Sequence, residues 1–248
     1  MSGRRVALVT GGARRLGAEI VRRLAARDFD VLLHHGHSPR EAEALATELR
    51  AAHGGRVDIV QADLADPHAP AQIVHAAIER LGALDVVVSS ASVMHARAFA
   101  EVTAEEWQRT EAVNLRAPFF LMQAAAAAMR DGGVIIQLSD HLATETGSGQ
   151  LIPHAVTKSA LTQLIRTVAV AVAPRLRVNG VAPGLVLAPD GMSEAAIGRF
   201  LRDVPLAQSG TPQAITRAID YLIDADYVTG EILTVDGGRH LRRSPGPA

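Results

Sequence analysis

The chain has 248 residues, a formal net charge of −1 and a hydrophobic fraction of 48%. This length can bury the core of one large α/β domain, and the near-neutral charge disfavours nucleic acid or an acidic lipid surface as a partner. The sequence has no cysteine, which excludes disulfides and thiolate metal sites. It also has no apolar run of about 18 residues, the length that spans a membrane. We therefore expect a cytoplasmic protein that binds a small molecule, without metal, membrane or nucleic acid.

Short apolar runs alternate with amphipathic stretches along the whole chain. Strands are predicted at 6–9, 31–34, 57–61, 84–89, 134–138, 177–181 and 232–235. Helices are predicted from about residue 16 to 24, at 41–52, 70–80, 105–115, 119–129 (interrupted near Pro118), 155–172 and 211–223, with a looser segment at 185–210. This alternation predicts a doubly wound, Rossmann-type seven-stranded parallel sheet with helices on both faces. We expect one domain over residues 1–241 and a disordered tail at 242–248.

A glycine-containing turn joins the first strand directly to the first helix. The run V-A-L-V at 6–9 is followed by Gly11, Gly12 and Gly17, and the helix then begins. Unpaired N–H groups at the start of a helix bind anions such as a pyrophosphate, and glycines leave room for that approach. By itself the turn is equally consistent with an ordinary strand–helix connection.

Other polar segments follow the remaining strands and are expected at the same edge of the sheet. In parallel sheets of this kind, ligands bind beyond the carboxyl ends of the strands. The candidate segments are residues 10–17, 34–38, 63–64, 89–92, 139–141 and 183–184.

Several motifs together resemble the short-chain dehydrogenase/reductase family over essentially the full length. They are T-G-G-A-R-R-L-G at 10–17, Q-A-D-L at 61–64, S-S-A-S at 89–92, V-N-L-R-A-P around Asn114, R-V-N-G-V-A-P-G at 177–184 and V-T-G-E-I-L-T-V-D-G-G at 228–238. The resemblance implies a nicotinamide-dependent oxidoreductase that forms a homotetramer or dimer. It implies cofactor contacts from Gly11, Arg14, Arg15, Leu16, Gly17, His34, His37, Ser38, Asp63, Leu64, Ser90, Ala91, Ser92, Lys158, Pro183, Gly184 and Leu185.

Within that family, three features resemble the pteridine reductase branch, which includes bacterial dihydromonapterin and dihydrofolate reductases. The turn ends in Arg-Leu-Gly, the second strand ends in L-L-H-H-G-H-S-P, and the carboxyl-terminal region contains V-D-G-G-R-H-L-R at 235–242. This branch implies a pterin-like substrate, with Phe99 and Phe200 as the candidate stacking partners.

The residues at the end of the second strand favour NADPH over NADH. Sheets that bind NAD place an acid there for the ribose hydroxyls, yet residues 31–40 contain none. Two arginines, Arg14 and Arg15, are instead expected to cluster with His34, His37 and Ser38. A guanidinium suits the dianionic 2′-phosphate of NADPH.

The catalytic segment departs from the family pattern, which is Tyr-x-x-x-Lys. Here it reads His154-Ala-Val-Thr-Lys158, and neither of the two tyrosines, Tyr221 and Tyr227, has a lysine four residues later. Lys158 is the only lysine in the chain. We expect it to hold the nicotinamide ribose, beside the Asn114 that the resemblance makes catalytic.

The usual proton donor is therefore absent, and two residues are candidates to replace it. His154 occupies the tyrosine position, and an imidazole can donate a proton near neutral pH. Counting back 13 residues from His154 reaches His141, whereas alignment on the fifth strand selects Asp140 as the acid of pteridine reductases. We favour alignment on the strand, with Asp140 and His154 sharing the acid role.

Three functions remain open at this point. The first is an NADPH-dependent reductase of a pterin or a related C=N or C=O compound. The second is a pseudoenzyme that binds cofactor without turnover, and the third is a carbonyl reductase of another substrate class.

Overall fold

The fold is described from a computed structural model, over residues 3–145, 149–189 and 191–241. Its strands are β1 (Val6–Thr10), β2 (Asp30–His35), β3 (Val57–Gln61), β4 (Val86–Ser89), β5 (Val134–Leu138), β6 (Arg177–Pro183) and β7 (Ile232–Val235). Its α-helices are α1 (Arg15–Ala26), α2 (Pro39–Ala52), α3 (Ala69–Leu81), α4 (Ala104–Glu111), α5 (Ala117–Ala128), α6 (Ile152–Val172), α7 (Glu194–Leu201) and α8 (Pro212–Asp224). The proposed tail at 242–248 lies outside the described residues.

The seven strands form one parallel sheet in the order β3-β2-β1-β4-β5-β6-β7. The chain winds outward from β1 to β3, crosses back to β4, and then winds outward in the other direction. The order therefore reverses between β1 and β4, and the loops that follow these two strands diverge around a crevice. This confirms the predicted fold class.

Two apolar cores cover the two faces of the sheet. On one face α1, α2 and α8 pack with side chains such as Ile20, Leu45 and Ile219. On the other face α3, α5 and α6 pack with side chains such as Ile73, Leu121 and Leu161. The strands alternate between the two cores, which explains why their sequences read as nearly continuous apolar runs.

The region between α4 and α5 differs from the sequence-based expectation. No break occurs near Pro118; instead a π-helical turn (Ala112–Arg116) joins α4 to α5 in one continuous run. Pro118 follows the π-turn directly, so the N–H that proline lacks falls where the helical hydrogen-bond pattern changes. The π-turn contains Asn114, and such turns occur frequently at functional sites.

The segment predicted to be loose at 185–210 contains a helix, α7. Ser193 caps its first turn, because the side chain accepts a hydrogen bond from the Ala196 N–H. This helix spans eight residues, buries none of them, and includes Gly198, a residue of low helix propensity.

Helix α6, which carries His154 and Lys158, spans 21 residues. Neither α6 nor any other helix in the described ranges is long and apolar enough to cross a membrane.

Candidate active site

The glycine turn after β1 is built from main chain packed on main chain. A Cβ added to Gly17 would lie 2.0 Å from the carbonyl oxygen of Gly11, so no side chain fits at this position. Gly11 has φ of +64°, and its added Cβ would lie 2.8 Å from the Cα of Ala91 in the loop after β4. The turn thus packs directly on the neighbouring loop, and α1 begins beside it with the N-terminal N–H groups available to an anion.

Thr10 holds the ends of the two central strands together. Its hydroxyl oxygen accepts hydrogen bonds from the N–H groups of Ser90 (3.1 Å) and Ala91 (3.2 Å). This contact sets the width of the crevice between β1 and β4. The sequence analysis did not assign Thr10 a role, although it begins the recognised motif.

His34 supports the glycine turn from below and is not part of a cationic patch. Its Nδ1 accepts a hydrogen bond from the N–H of Gly11 (3.2 Å), and its Nε2 donates to the carbonyl of Ala62 (3.0 Å). Burial lowers the pKa of His34 to about 4, so the ring is neutral at physiological pH. His34 lines the cavity beside the predicted cluster, but a neutral ring adds no positive charge to it.

The two arginines of the turn lie in different places. Arg15, which adopts φ of +51°, donates from Nη2 to the carbonyls of Leu187 (3.0 Å) and Ala188 (2.8 Å) across the crevice. The structure thus places the Arg15 guanidinium at the loop after β6, not at the end of β2 where the sequence predicted it. Arg14 lies about half-exposed, 3.9 Å from Glu41 of α2.

Beside the end of β2, the residues that line the crevice are Gly36, His37, Ser38 and Arg14. His37 is exposed, and Ser38 is the N-cap of α2, although its side chain makes no capping hydrogen bond. The nearest acid along the chain, Glu41, lies within α2 and is the partner of Arg14.

Asp63, after β3, is held by two partners. Its Oδ1 accepts from the N–H of Ala65 (3.0 Å), and its Oδ2 accepts from Arg109 of α4 (2.8 Å). The hydrogen bond from Arg109 holds the pKa of Asp63 below its usual value, against the opposing effect of burial. Leu64 beside it is buried, and both residues line the same crevice as Ser90 and Ala91. Arg109 is a lining residue that the sequence analysis missed.

Asn114, in the π-turn, links the loop after β4 to α6. Its Oδ1 accepts from the Val93 N–H (2.8 Å) and the Ser92 hydroxyl (3.1 Å), while its Nδ2 donates to the Val93 carbonyl (2.8 Å). The same Nδ2 lies 3.3 Å from Nδ1 of His154 and 3.4 Å from the hydroxyl of Thr157. Asn114 is fully buried, so it positions other residues and its amide does not reach the crevice.

Lys158 lies one helical turn after His154, and its ammonium is buried at the end of β5. The Nζ donates to the carbonyl of Leu138 at 2.6 Å. Burial lowers the pKa of Lys158 to about 8, and the charge of Asp140 opposes this only in part. The side chain lines the crevice, so its remaining N–H groups are directed toward a ligand there.

Asp140 lies between two histidines. Its Oδ1 is 3.0 Å from Nδ1 of His141, and its Oδ2 is 3.3 Å from Nε2 of His154. Burial raises the pKa of Asp140, but the hydrogen bonds from His141 and His154 outweigh it and hold the pKa far below the usual value. These hydrogen bonds favour the ionised form of Asp140, whereas the sequence predicted that it donates a proton.

Most of these residues, though not Thr10 or Asn114, line one cavity of about 790 Å³ that runs from the glycine turn past the first turns of α6 to Phe200 and Arg239. The sequence predicts that segments 94–99, 141–153 and 185–204 form its walls. Each segment contributes in part, through Met94, through His141, Leu142 and Leu151, and through residues from Leu185 to Phe200 of α7. Phe99 does not line the cavity and is 77% exposed, so it is not a stacking partner.

Phe200 and Arg239 form the end of the cavity beyond the histidines. The Arg239 guanidinium lies over the Phe200 ring, 4.0 Å from its centroid, and pairs with Glu145 at 3.3 Å. The ring of His141 meets Phe200 edge-on at 5.6 Å. Arg239 belongs to a motif that the sequence identified, but nothing in the spacing indicated that it reaches this cavity.

Comparison with known proteins identifies the family. A sequence model described as "Enoyl-(Acyl carrier protein) reductase" matches residues 11–240. A putative ketoacyl reductase of the granaticin polyketide synthase from Streptomyces violaceoruber is 33% identical, with 95% of this chain and 96% of the relative covered. The chain belongs to the short-chain dehydrogenase/reductase family.

Two solved structures show the same fold with a bound cofactor. A blue fluorescent protein from a metagenomic library, in complex with NADPH, is 39% identical with a TM-score of 0.90, covering 96% of this chain and 98% of that one. FolM alternative dihydrofolate reductase 1 from Brucella canis, complexed with NADP, is 31% identical with a TM-score of 0.91, covering 97% and 96%. The fold, together with these relatives, supports a nicotinamide-dependent oxidoreductase.

The residues present fit a nicotinamide dinucleotide. The glycine turn and the N-terminus of α1 line the cavity together, and the cavity continues from there to the buried ammonium of Lys158. A pyrophosphate fits the first feature and a ribose hydroxyl fits the second. When bound, such a cofactor supplies a hydride.

Proposed function

We propose that the protein is an NADPH-dependent reductase of a C=N or C=O bond, with a dihydropterin- or dihydrofolate-like compound as the first substrate class. One observation carries this proposal. A single cavity connects the glycine turn to Lys158 and to the histidines that flank Asp140, so cofactor and proton-bearing groups meet at its far end. The likeness to the alternative dihydrofolate reductase of Brucella canis supports the substrate class.

The preference for NADPH rests on the end of β2. Arg14, His37 and Ser38 line the cavity there, and a 2′-phosphate would find a guanidinium and a hydroxyl in place of a carboxylate. The two solved relatives named above bind NADPH and NADP, in agreement with this proposal.

The loss of the tyrosine suits a pterin better than a simple ketone. Ring nitrogens of a reduced pterin exchange protons with water, so a dedicated phenol is less necessary than it is for an alkoxide. The buried Lys158 still supplies a positive charge beside the reacting atoms, and Asn114 still orders the loop after β4 and α6.

A carbonyl reductase is the second candidate, because much of the cavity lining is apolar. The lining includes Met94, Leu142, Leu151, Leu187 and Met192. Such a lining accepts an extended apolar ketone, and the relative from Streptomyces violaceoruber is a putative ketoacyl reductase.

The experiment is a substrate panel with NADPH and NADH. Purified protein is mixed with dihydropterins, dihydrofolate, and aromatic and aliphatic ketones, and cofactor oxidation is followed by absorbance. We expect the highest kcat/KM with NADPH and a dihydropterin. Highest activity with a ketone would instead support the carbonyl reductase.

A second measurement separates an inactive protein from an untested substrate. Calorimetric titration with NADPH reports cofactor binding without turnover. The variant His154→Tyr restores the family's phenol four residues before Lys158 and should gain ketone reduction if the rest of the site is competent. Tight NADPH binding with no turnover by either protein would identify a pseudoenzyme and contradict the proposal.

A homotetramer is the proposed assembly. Apolar side chains are exposed on α4, α5 and α6, which supports a second copy of the chain as their partner. These are Trp107, Phe119, Phe120, Val156 and Val170.

A further inference from the structure

The two histidines that flank Asp140 are not equivalent. Both hydrogen-bond to its carboxylate, yet His154 comes from the first turn of α6 while His141 begins the short turn that follows β5. The difference lies in what each ring does with its second nitrogen.

Both nitrogens of His154 are occupied by protein. Its Nε2 faces the ionised Oδ2 of Asp140 at 3.3 Å, so this nitrogen carries a proton. Its Nδ1 lies 3.1 Å from the carbonyl of Val93 and 3.3 Å from the amide of Asn114. The ring is 4% exposed. With both positions engaged, His154 has no nitrogen to offer a substrate.

His141 uses only one nitrogen. Its Nδ1 lies 3.0 Å from Oδ1 of Asp140 and 3.2 Å from the carbonyl of Pro183, and both of these atoms are acceptors. The proton must therefore reside on Nδ1, which leaves Nε2 as the nitrogen that titrates. Within the described ranges Nε2 has no hydrogen-bond partner, and it is not enclosed by protein. The ring lines the cavity against Phe200.

We propose that Nε2 of His141 donates the proton to the substrate, with Asp140 orienting the ring through Nδ1. This rests on the proposed reductase function and names the residue that completes it. The arrangement of carboxylate, imidazole and reacting atom is the one that fixes tautomer and direction in other acid–base pairs. In this assignment His154 is a positioning residue that holds the second oxygen of Asp140.

The proposed step balances as follows. Hydride adds to the carbon of the C=O or C=N bond, and the π-electron pair moves to the oxygen or nitrogen. That atom takes the proton from Nε2 of His141, leaving a neutral imidazole. The ring regains a proton from water through the cavity, so each cycle consumes one reduced cofactor and one proton.

The surroundings of His141 favour the protonated ring. Burial lowers its pKa, but the hydrogen bond and charge of Asp140, the charge of Glu145 and the carbonyl of Pro183 outweigh it and raise the pKa above the usual value. The cations that face the same region are Lys158, hydrogen-bonded to Leu138, and Arg239, over Phe200 and paired with Glu145. Because the pKa of His141 is raised, we expect the ring to lose its acidic proton, and the protein its activity, at a pH above 6.5.

The test compares pH profiles of kcat/KM for the wild type and for His141→Gln with an active member of the substrate panel. We expect the variant to lose about 10²–10⁴-fold in rate, the range of general acid–base catalysis, and to lose the alkaline decline. Its NADPH affinity should stay within about twofold, which also shows that it is folded. Added imidazole should restore activity to His141→Ala in proportion to the imidazolium concentration.

A matched control exists in the chain. His240 also pairs with an aspartate, Asp236, at 2.9 Å, but it lies outside the cavity lining. The variant His240→Ala should keep its rate within about twofold and gain nothing from imidazole.

A further variant tests the assignment even if His141→Gln fails to fold. Asp140→Asn removes the carboxylate that raises the pKa of His141, so the alkaline decline should move to lower pH. An unmoved decline would overturn the assignment, as would a His141→Gln variant with wild-type rate and profile. A wild type that binds NADPH but reduces no panel member would overturn the reductase itself, which is a different result.

Discussion

The two ends of the cavity are built by different means. Around the glycine turn, main chain packs on main chain, and the decisive contacts are those of Gly17 on Gly11 and of Gly11 on Ala91. Around the end of β5, side chains pair with one another, as Asp140 does with His141 and His154. An end made of main chain tolerates little change in sequence, whereas an end made of side chains can exchange one proton donor for another within the same fold.

The largest expected effect comes from Lys158, because we expect its ammonium both to hold the cofactor's ribose and to supply positive charge beside the reacting atoms. Lys158→Met removes the ammonium but keeps the volume, and we expect turnover to fall about 10²–10⁴-fold with NADPH affinity at least about tenfold lower. Rate assays and calorimetric titration measure the two effects. Unchanged binding and rate would show that the lone lysine has only a structural role.

The lowered pKa of Lys158 also predicts how the stability and the NADPH affinity of the wild type change with pH. Its pKa is about 8 in the folded protein and 10.5 in the reference state, so the unfolded chain binds more protons between these values. The stability of the cofactor-free protein should therefore rise from pH 8 to 10.5, while NADPH affinity falls. Lys158→Met should lose both trends in denaturant and binding measurements.

The next effect concerns the main-chain end and appears as stability. His34→Leu leaves the half-buried Gly11 N–H and Ala62 carbonyl without their partner, which costs roughly 1 kcal/mol each. The exposed His75 of α3 provides the control, because His75→Leu should change the free energy of unfolding by less than about 0.5 kcal/mol. Urea unfolding measures the free energy of unfolding of both variants. Equal values for His34→Leu and His75→Leu would show that His34 does not support the turn.

The pH dependence of that stability has a defined sign. The folded-state pKa of His34 is about 4 against 6.5 in the reference state, so only the unfolded chain takes up this proton in between. Stability should fall as the pH drops from 6.5 to 4, by about 3 kcal/mol in total, and His34→Leu should lack this loss.

The smallest effect separates the two arginines of the turn. Arg14→Ala should lower the ratio of NADPH to NADH affinity about tenfold, because Arg14 lines the end of β2. Arg15→Ala should weaken both cofactors equally, because its guanidinium holds the loop at Leu187 and Ala188. Calorimetric titration of each variant with both cofactors decides this. If Arg15→Ala lost affinity for NADPH but not for NADH, the sequence-based assignment of Arg15 to the 2′-phosphate would be correct after all.

Sequence reasoning succeeded where a residue type has one structural use. Gly17 admits no side chain in its turn, and the apolar runs of the strands serve both faces of the sheet, so the fold and the cofactor end followed directly. It failed for His34 and Arg15, whose side chains have several possible directions. Their spacing along the chain predicted that both lie near a phosphate. In the structure His34 is buried under the glycine turn, and Arg15 donates to the carbonyls of Leu187 and Ala188.

The proton donor shows the same limit. Alignment on β5 selected Asp140 as a partner of His154 in the site, and in the structure the two side chains lie 3.3 Å apart. The charge on Asp140 nevertheless depends on how many histidines contact it, and the role of each histidine depends on which of its nitrogens is already bonded. Neither fact is contained in the spacing of residues along the chain. Helix α7 escaped prediction because it is short and contains Gly198, a weak helix former.

The π-turn that contains Asn114 has a consequence for insertions and deletions. It accommodates one residue more than an α-helix would between α4 and α5. Removing a single residue there would convert the run to a regular helix while α4 and α5 keep their places, so the residues of the turn itself would rotate about the helix axis. Asn114 would then turn away from Val93 and His154, although every amino acid of the site was still present. The direction in which Asn114 points thus depends on the number of residues in this turn, which a one-codon deletion changes and a substitution does not.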